Sequence, residues 1–113
     1  MLLAKVMKKT NLENCGTLPD FGNFCIEGGY GTCTKWYDMY KGVAELMPYA
    51  KSVSAKTYNF DSDGNETKID YNKMMKIVKD NSYKGFIGVE YEGHSLSEKD
   101  GILATKKLIK RFN

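Results

Sequence analysis

The chain has 113 residues, 42% of them hydrophobic and 12% aromatic, which is enough for one compact domain with a core. Its charge is mixed in sign, 17 basic against 14 acidic residues for a net +3, which argues against disorder. A nucleic-acid backbone binder would show a basic stripe that this sequence lacks, so no nucleic-acid partner is expected. No apolar run approaches bilayer length, and Met1-Leu2-Leu3-Ala4-Lys5-Val6 is too soon broken by lysines for a signal peptide. No membrane partner is expected, and a cytoplasmic setting is.

In chain order, Leu2, Leu3, Val6 and Met7 predict a helix that runs out near Thr10. A first strand is expected around Cys15-Gly16-Thr17-Leu18, running into Pro19-Asp20. Gly28-Gly29-Tyr30-Gly31 fits no phosphate-binding fingerprint and reads as a flexible loop between strand and helix. Tyr30 could stack on a sugar ring there. Trp36, Tyr37, Tyr40, Val43, Ala44 and Met47 mark a second helix stopped by Pro48, with Trp36 on its packed stripe. Ser52-Val53-Ser54-Ala55-Lys56 is a second strand. Asp61-Ser62-Asp63-Gly64-Asn65-Glu66 places its glycine wrongly for a calcium loop and reads as a polar turn.

Met74, Met75, Ile77 and Val78 mark a third helix with Asp70 as N-cap. Phe86-Ile87-Gly88-Val89-Glu90 is a third strand. Ser97-Glu98-Lys99-Asp100 is a capping-box-like start for a fourth helix carrying Ile102, Leu103, Leu108, Ile109 and Phe112. Helices alternating with short strands predict an α/β chain with a parallel sheet. Cys15, Cys25 and Cys33 are odd in number and widely spaced, and all three are expected as reduced thiols.

Asp20, Lys56 and Glu90 each close a predicted strand, about 35 positions apart, which is one strand–helix unit each. Parallel α/β folds put their ligand crevice at those strand ends, so three polar residues there predict a site. Lys56 shares a strand face with Ser54 and either binds a substrate oxygen or a carboxylate, or reaches solvent. Glu90 and Glu92 alternate onto one face of the last strand. Glu90, nearer the strand end, is the expected acid/base group and Glu92 the runner-up, here placed in substrate binding. His94, in the loop beyond, is expected to be exposed.

Three segments together resemble the sugar phosphate isomerase/epimerase family, the xylose isomerase-like (β/α)8 TIM barrels related to endonuclease IV. They are Gly16-Thr17-Leu18-Pro19-Asp20-Phe21-Gly22-Asn23-Phe24, Pro48-Tyr49-Ala50-Lys51-Ser52-Val53-Ser54-Ala55-Lys56-Thr57, and Gly85-Phe86-Ile87-Gly88-Val89-Glu90-Tyr91-Glu92-Gly93. The resemblance covers only the last three strand–helix units, with a helix end before them. A complete barrel takes ~250 residues. It therefore implies that residues 1–113 are the C-terminal portion of a barrel, a fragment with an internal Met1. Its open sheet edges would invite self-association.

The resemblance implies proton transfer beside a carbonyl of a sugar (phosphate) or polyol, assisted by a divalent metal (Mg, Mn or Zn). By position, Asp20 and Glu90 match metal ligands, Glu90 and Lys56 fall to catalysis, and Asn23, Lys56 and Glu92 to substrate binding. Ser54 stands where the family has a histidine ligand, and a further glutamate ligand is missing, so the metal site is incomplete. A non-catalytic carbohydrate-binding relative that has lost the metal is the alternative. A repair nuclease of the endonuclease IV kind would want several histidines, and His94 is alone.

Overall fold

The computed structural model describes residues 1–29 and 31–112. Four α-helices form where the apolar periodicity places them. Helix α1 (Leu2–Thr10) ends on Asn11 in the left-handed conformation, whose N–H bonds back to the Met7 carbonyl. Helix α2 (Met39–Leu46) starts from Asp38, whose carboxylate accepts the Lys41 N–H, and Pro48 turns its end into a short 3-10 helix. Helix α3 (Tyr71–Asp80) is capped by Asp70 and helix α4 (Glu98–Ile109) by Ser97, each accepting from the backbone three residues on.

The strands depart further from expectation. A disulfide-closed hairpin pairs β1 (Cys25–Glu27) with β2 (Lys35–Trp36), antiparallel. A second sheet pairs β3 (Val53–Thr57) with β4 (Ile87–Tyr91), parallel, in the register Val53↔Ile87, Lys56↔Glu90. The expected strand around Cys15-Gly16-Thr17-Leu18 is not formed. Pro19 has no N–H to give a ladder, and the segment touches β3 and its approach only through single bridges, Thr17↔Ala50 and Asp20↔Ser54. What results is a small α/β domain with two two-stranded sheets, not the last three units of a TIM barrel.

Two further readings change with the hairpin. Cys25 and Cys33 are joined in a disulfide with their Cα atoms 5.8 Å apart, so only Cys15 is a free thiol. The cysteines therefore give no support to a reducing, cytoplasmic setting. Trp36 lies on β2 rather than on a helix and is 58% exposed. Tyr30 lies outside the described residues. Among the described residues no helix is long and apolar enough to cross a membrane.

The core sits between β3 and the helices. Val53 and Ala55 are buried on one face of β3, with Phe21, Val43, Met74 and Val78 in the same cluster. The Phe21 and Tyr71 rings meet edge to face, and the Tyr71 hydroxyl donates to the Lys56 carbonyl at 2.8 Å. Gly42 lets α2 close on the Phe24 ring, since a Cβ there would lie 2.1 Å from it. Gly101 does the same for α4 on Tyr91. The other face of β3 carries Ser54 and Lys56, and the parallel register sets Glu90 of β4 beside Lys56.

The segment leaving β3 is held by one carboxylate. Glu66 is 8% exposed and accepts the backbone N–H groups of Tyr58, Asn59, Lys68 and Ile69. Asp61 binds the Asp63 and Asn65 N–H groups within the turn, and Arg111 ties it to the C-terminal end through Asn65 and the Asp63 carbonyl. Removing Glu66 strands one buried donor, that of Ile69, at a cost of about 1–3 kcal/mol, and three partly buried ones at less. Glu66→Ala is expected to lower unfolding stability by about 3–4 kcal/mol in urea denaturation. Asp63→Ala, at an exposed side chain, should stay within about 0.5 kcal/mol.

Candidate functional site

Lys56 is the centre of the site. Its side chain is 1% exposed, and its Nζ lies 3.1 Å from Glu92 Oε1, 3.3 Å from Glu90 Oε1 and 3.7 Å from Asp20 Oδ1. It also donates to Asn23 Oδ1 at 2.7 Å. All five residues singled out from the sequence are thus brought to one place. The reading of Lys56 as a solvent-reaching strand end fails, because its stem runs under Gly22 and its head is enclosed by acceptors.

Each neighbour has a local reason for its position. Asp20 Oδ1 accepts the N–H groups of Gly22 and Asn23 at 2.8 and 2.9 Å, a tight turn that folds Asn23 back over Lys56. Gly22 is required at that turn: a Cβ would lie 2.6 Å from the Tyr58 hydroxyl and 2.8 Å from Lys56 Cδ. Ser54, on the same strand face as Lys56, donates its hydroxyl to Glu90 Oε2 at 2.6 Å. His94 lies exposed in the loop beyond Glu92 and takes no part.

The two carboxyl groups expected as metal ligands have another cation. Lys56 Nζ stands between Asp20 and Glu90, and an ammonium repels a metal ion at that distance. Among the described residues no group of three or more His, Cys, Asp or Glu could hold a metal ion. Ser54, expected from the resemblance to replace a histidine ligand, instead donates to Glu90 and orients it. The reading of Asp20 and Glu90 as a metal site is therefore corrected to an ammonium-centred ion cluster.

The electrostatics split the two carboxyls. Burial pushes the Asp20 carboxyl above its ordinary 3.8; the Gly22 N–H opposes this, a hydrogen bond to Glu90 adds to it, and Lys56 opposes it too weakly to reverse it. Glu90 is also pushed up by burial, but the Ser54 hydroxyl, the Asp20 hydrogen bond and Lys56 outweigh that and hold it below its ordinary 4.5. Burial works against the Lys56 charge, yet Glu92, Asp20 and Glu90 together raise it above its ordinary value.

The cluster thus holds the Asp20 proton more tightly than usual and the Glu90 proton less tightly than usual. Linkage follows the same split. The Asp20 contribution to stability is complete below 3.8 and fades as pH rises through its folded value. The Glu90 contribution is present above 4.5 and fades as pH falls through its folded value.

Sequence reasoning missed two members, Ser54 as the hydrogen-bonding partner of Glu90 and Tyr58 beside Gly22. The signal for both was the period of two along Ser54, Lys56 and Tyr58. A separate open groove of about 560 Å³ lies between Tyr40, the Asn65–Asn72 segment and Arg111. Its charged groups are already used, Asp70 in capping and Arg111 in the turn.

No family model matches the chain. Two proteins of Arthrobacter globiformis, each named C-glycoside deglycosidase alpha subunit, are similar to it. One is 35% identical over 66 residues, covering 56% of this chain and 19% of that protein. The other is 33% identical over 80 residues, covering 66% and 20%. A protein of the same name from Microbacterium trichothecenolyticum is 33% identical over 48 residues, covering 42% and 13%. The chain thus spans about a fifth of the length of the first two relatives. These names overturn the expectation of a sugar phosphate isomerase or epimerase.

Breaking a buried ion pair by removing one partner costs about 3–5 kcal/mol, because the other charge is left unpaired. Lys56→Met is expected to lose about that much stability at neutral pH in denaturant titration. A loss under about 1 kcal/mol would mean that the ammonium is solvated rather than enclosed.

Proposed function

We propose that this chain supplies an acid–base and sugar-binding cluster to a protein that cleaves C-glycosides. The observation that carries the reading is the buried Lys56 ammonium among three carboxyl groups, of which Asp20 is pushed above and Glu90 held below its ordinary proton affinity. The similarity to C-glycoside deglycosidase alpha subunits supports the substrate class. Those relatives are named as alpha subunits, so a partner subunit belongs to the same proposal.

The chemistry follows from what a C-glycoside demands. The bond between the sugar and the aglycone is carbon–carbon, and when it breaks its electron pair leaves with the aglycone carbon. That carbon needs a proton at the same moment. Asp20, whose proton burial holds more tightly than usual, is the donor, and Glu90 takes the proton of a water that adds to the anomeric carbon, so that a carbon–oxygen bond replaces the broken carbon–carbon bond. Lys56 can donate a hydrogen bond to a sugar hydroxyl oxygen. Asn23 and Glu92 offer an amide and a carboxylate to sugar hydroxyls.

Charge favours an uncharged ligand. Three carboxyl groups surround one ammonium, so acidic groups outnumber the cation. Phosphate would be repelled, and a neutral polyol would not.

The test uses the protein in its native assembly with an aryl C-glucoside as substrate. Asp20→Asn keeps the turn to Gly22 and Asn23 and removes the proton. It is expected to lower kcat by ~10²–10⁴-fold with KM changed only a few-fold. Undiminished turnover in Asp20→Asn would overturn the donor role. No turnover by the wild type of any aryl C-glucoside would overturn the reading of function.

A further inference from the structure

Tyr58 lies one residue beyond β3, on the same side as Ser54 and Lys56 by the period of two. Its position is fixed from three directions. Its N–H donates to Glu66 Oε1 at 3.2 Å. The Lys68 ammonium stands 4.5 Å from its ring centroid. Its hydroxyl end abuts Gly22, 2.6 Å from where a Cβ would project, between the two residues of the turn that carry Asp20 and Asn23.

The hydroxyl so placed makes no hydrogen bond among the described residues and is open to solvent, where a ligand can reach it, whereas the buried Tyr71 hydroxyl is taken by a carbonyl. The charges of Lys56, Glu92, Asp20 and Glu90 all act on it. A rigid, unpaired donor and acceptor thus stands at the rim of the ion cluster.

We propose that the Tyr58 hydroxyl is a substrate-contact group that binds a hydroxyl of a neutral sugar lying across Lys56 and the Asp20–Asn23 turn. This rests on the reading of the cluster as a glycoside site. The phenol donates to or accepts from one ligand hydroxyl, while the carboxylates take hydroxyl protons and Lys56 donates. Gly22 serves the same purpose, since any side chain there would displace the phenol from the turn.

The experiment compares wild type with Tyr58→Phe in the native assembly, by calorimetric binding of methyl glucoside and by turnover of an aryl C-glucoside. Thermal melting is followed alongside. Tyr58→Phe should melt as the wild type does, because the hydroxyl has no hydrogen-bond partner among the described residues. Its dissociation constant for methyl glucoside and its KM should both rise about tenfold with kcat unchanged. A glucoside lacking the contacted hydroxyl should show no difference between the two proteins. Equal binding of methyl glucoside by both proteins, or a Tyr58→Phe chain that no longer folds, overturns the proposal. Sugar binding weakened by Tyr58→Phe, with no turnover of the C-glucoside by the wild type, upholds the contact and sinks the reading of function. Absence of sugar binding by the wild type overturns both.

Discussion

A single buried ammonium organises this domain. Lys56 sits on a strand whose opposite face is the hydrophobic core, so its stem cannot leave, and its charge must be answered where it is. Three carboxyl groups and an amide answer it, and they come from two places in the chain: Asp20 and Asn23 from the turn after Pro19, and Glu90 and Glu92 from strand β4 and the residue just beyond it. The parallel register fixes Glu90 beside Lys56, and a slip by one residue would turn Glu90 to the opposite face. Small residues then follow as necessities, Gly22 for the close turn and Gly101 for the approach of α4 to β4.

The cluster also explains why the two carboxyls differ. Asp20 is the deeper of the two, with 11% of its side chain exposed against 38% for Glu90. Depth costs the charged form, and Lys56 is nearer Glu90 than Asp20. The Ser54 hydroxyl donates to Glu90 at 2.6 Å and is the strongest influence lowering it, while for Asp20 it is the weakest of those acting. The proton affinities of the two groups are therefore shifted in opposite directions from their ordinary values, an arrangement that suits acid–base work.

Much of the site was legible in the sequence. Asp20, Lys56 and Glu90 stand one strand–helix length apart, and strand alternation added Glu92, so the convergence followed from spacing alone. Helix boundaries at Asp38, Asp70 and Ser97 were legible from capping chemistry, though only the last two were read so. The hairpin was not read, because a three-residue strand has no period to detect; its signal was a glycine-rich turn flanked by Cys25 and Cys33. The barrel expectation came from resemblance, and Pro19 marks where the expected first strand gives way to isolated bridges. The order of the Asp20 and Glu90 proton affinities was illegible, since it depends on relative depth, which no local pattern encodes.

The most direct measurement is the titration of the side-chain carboxyl carbons by NMR on the intact protein. The account predicts that Asp20 releases its proton above its ordinary 3.8 and Glu90 below its ordinary 4.5. It also predicts that Lys56→Met moves both midpoints upward, since an attractive cation is removed. Midpoints at ordinary values for both groups, unchanged in Lys56→Met, would contradict it.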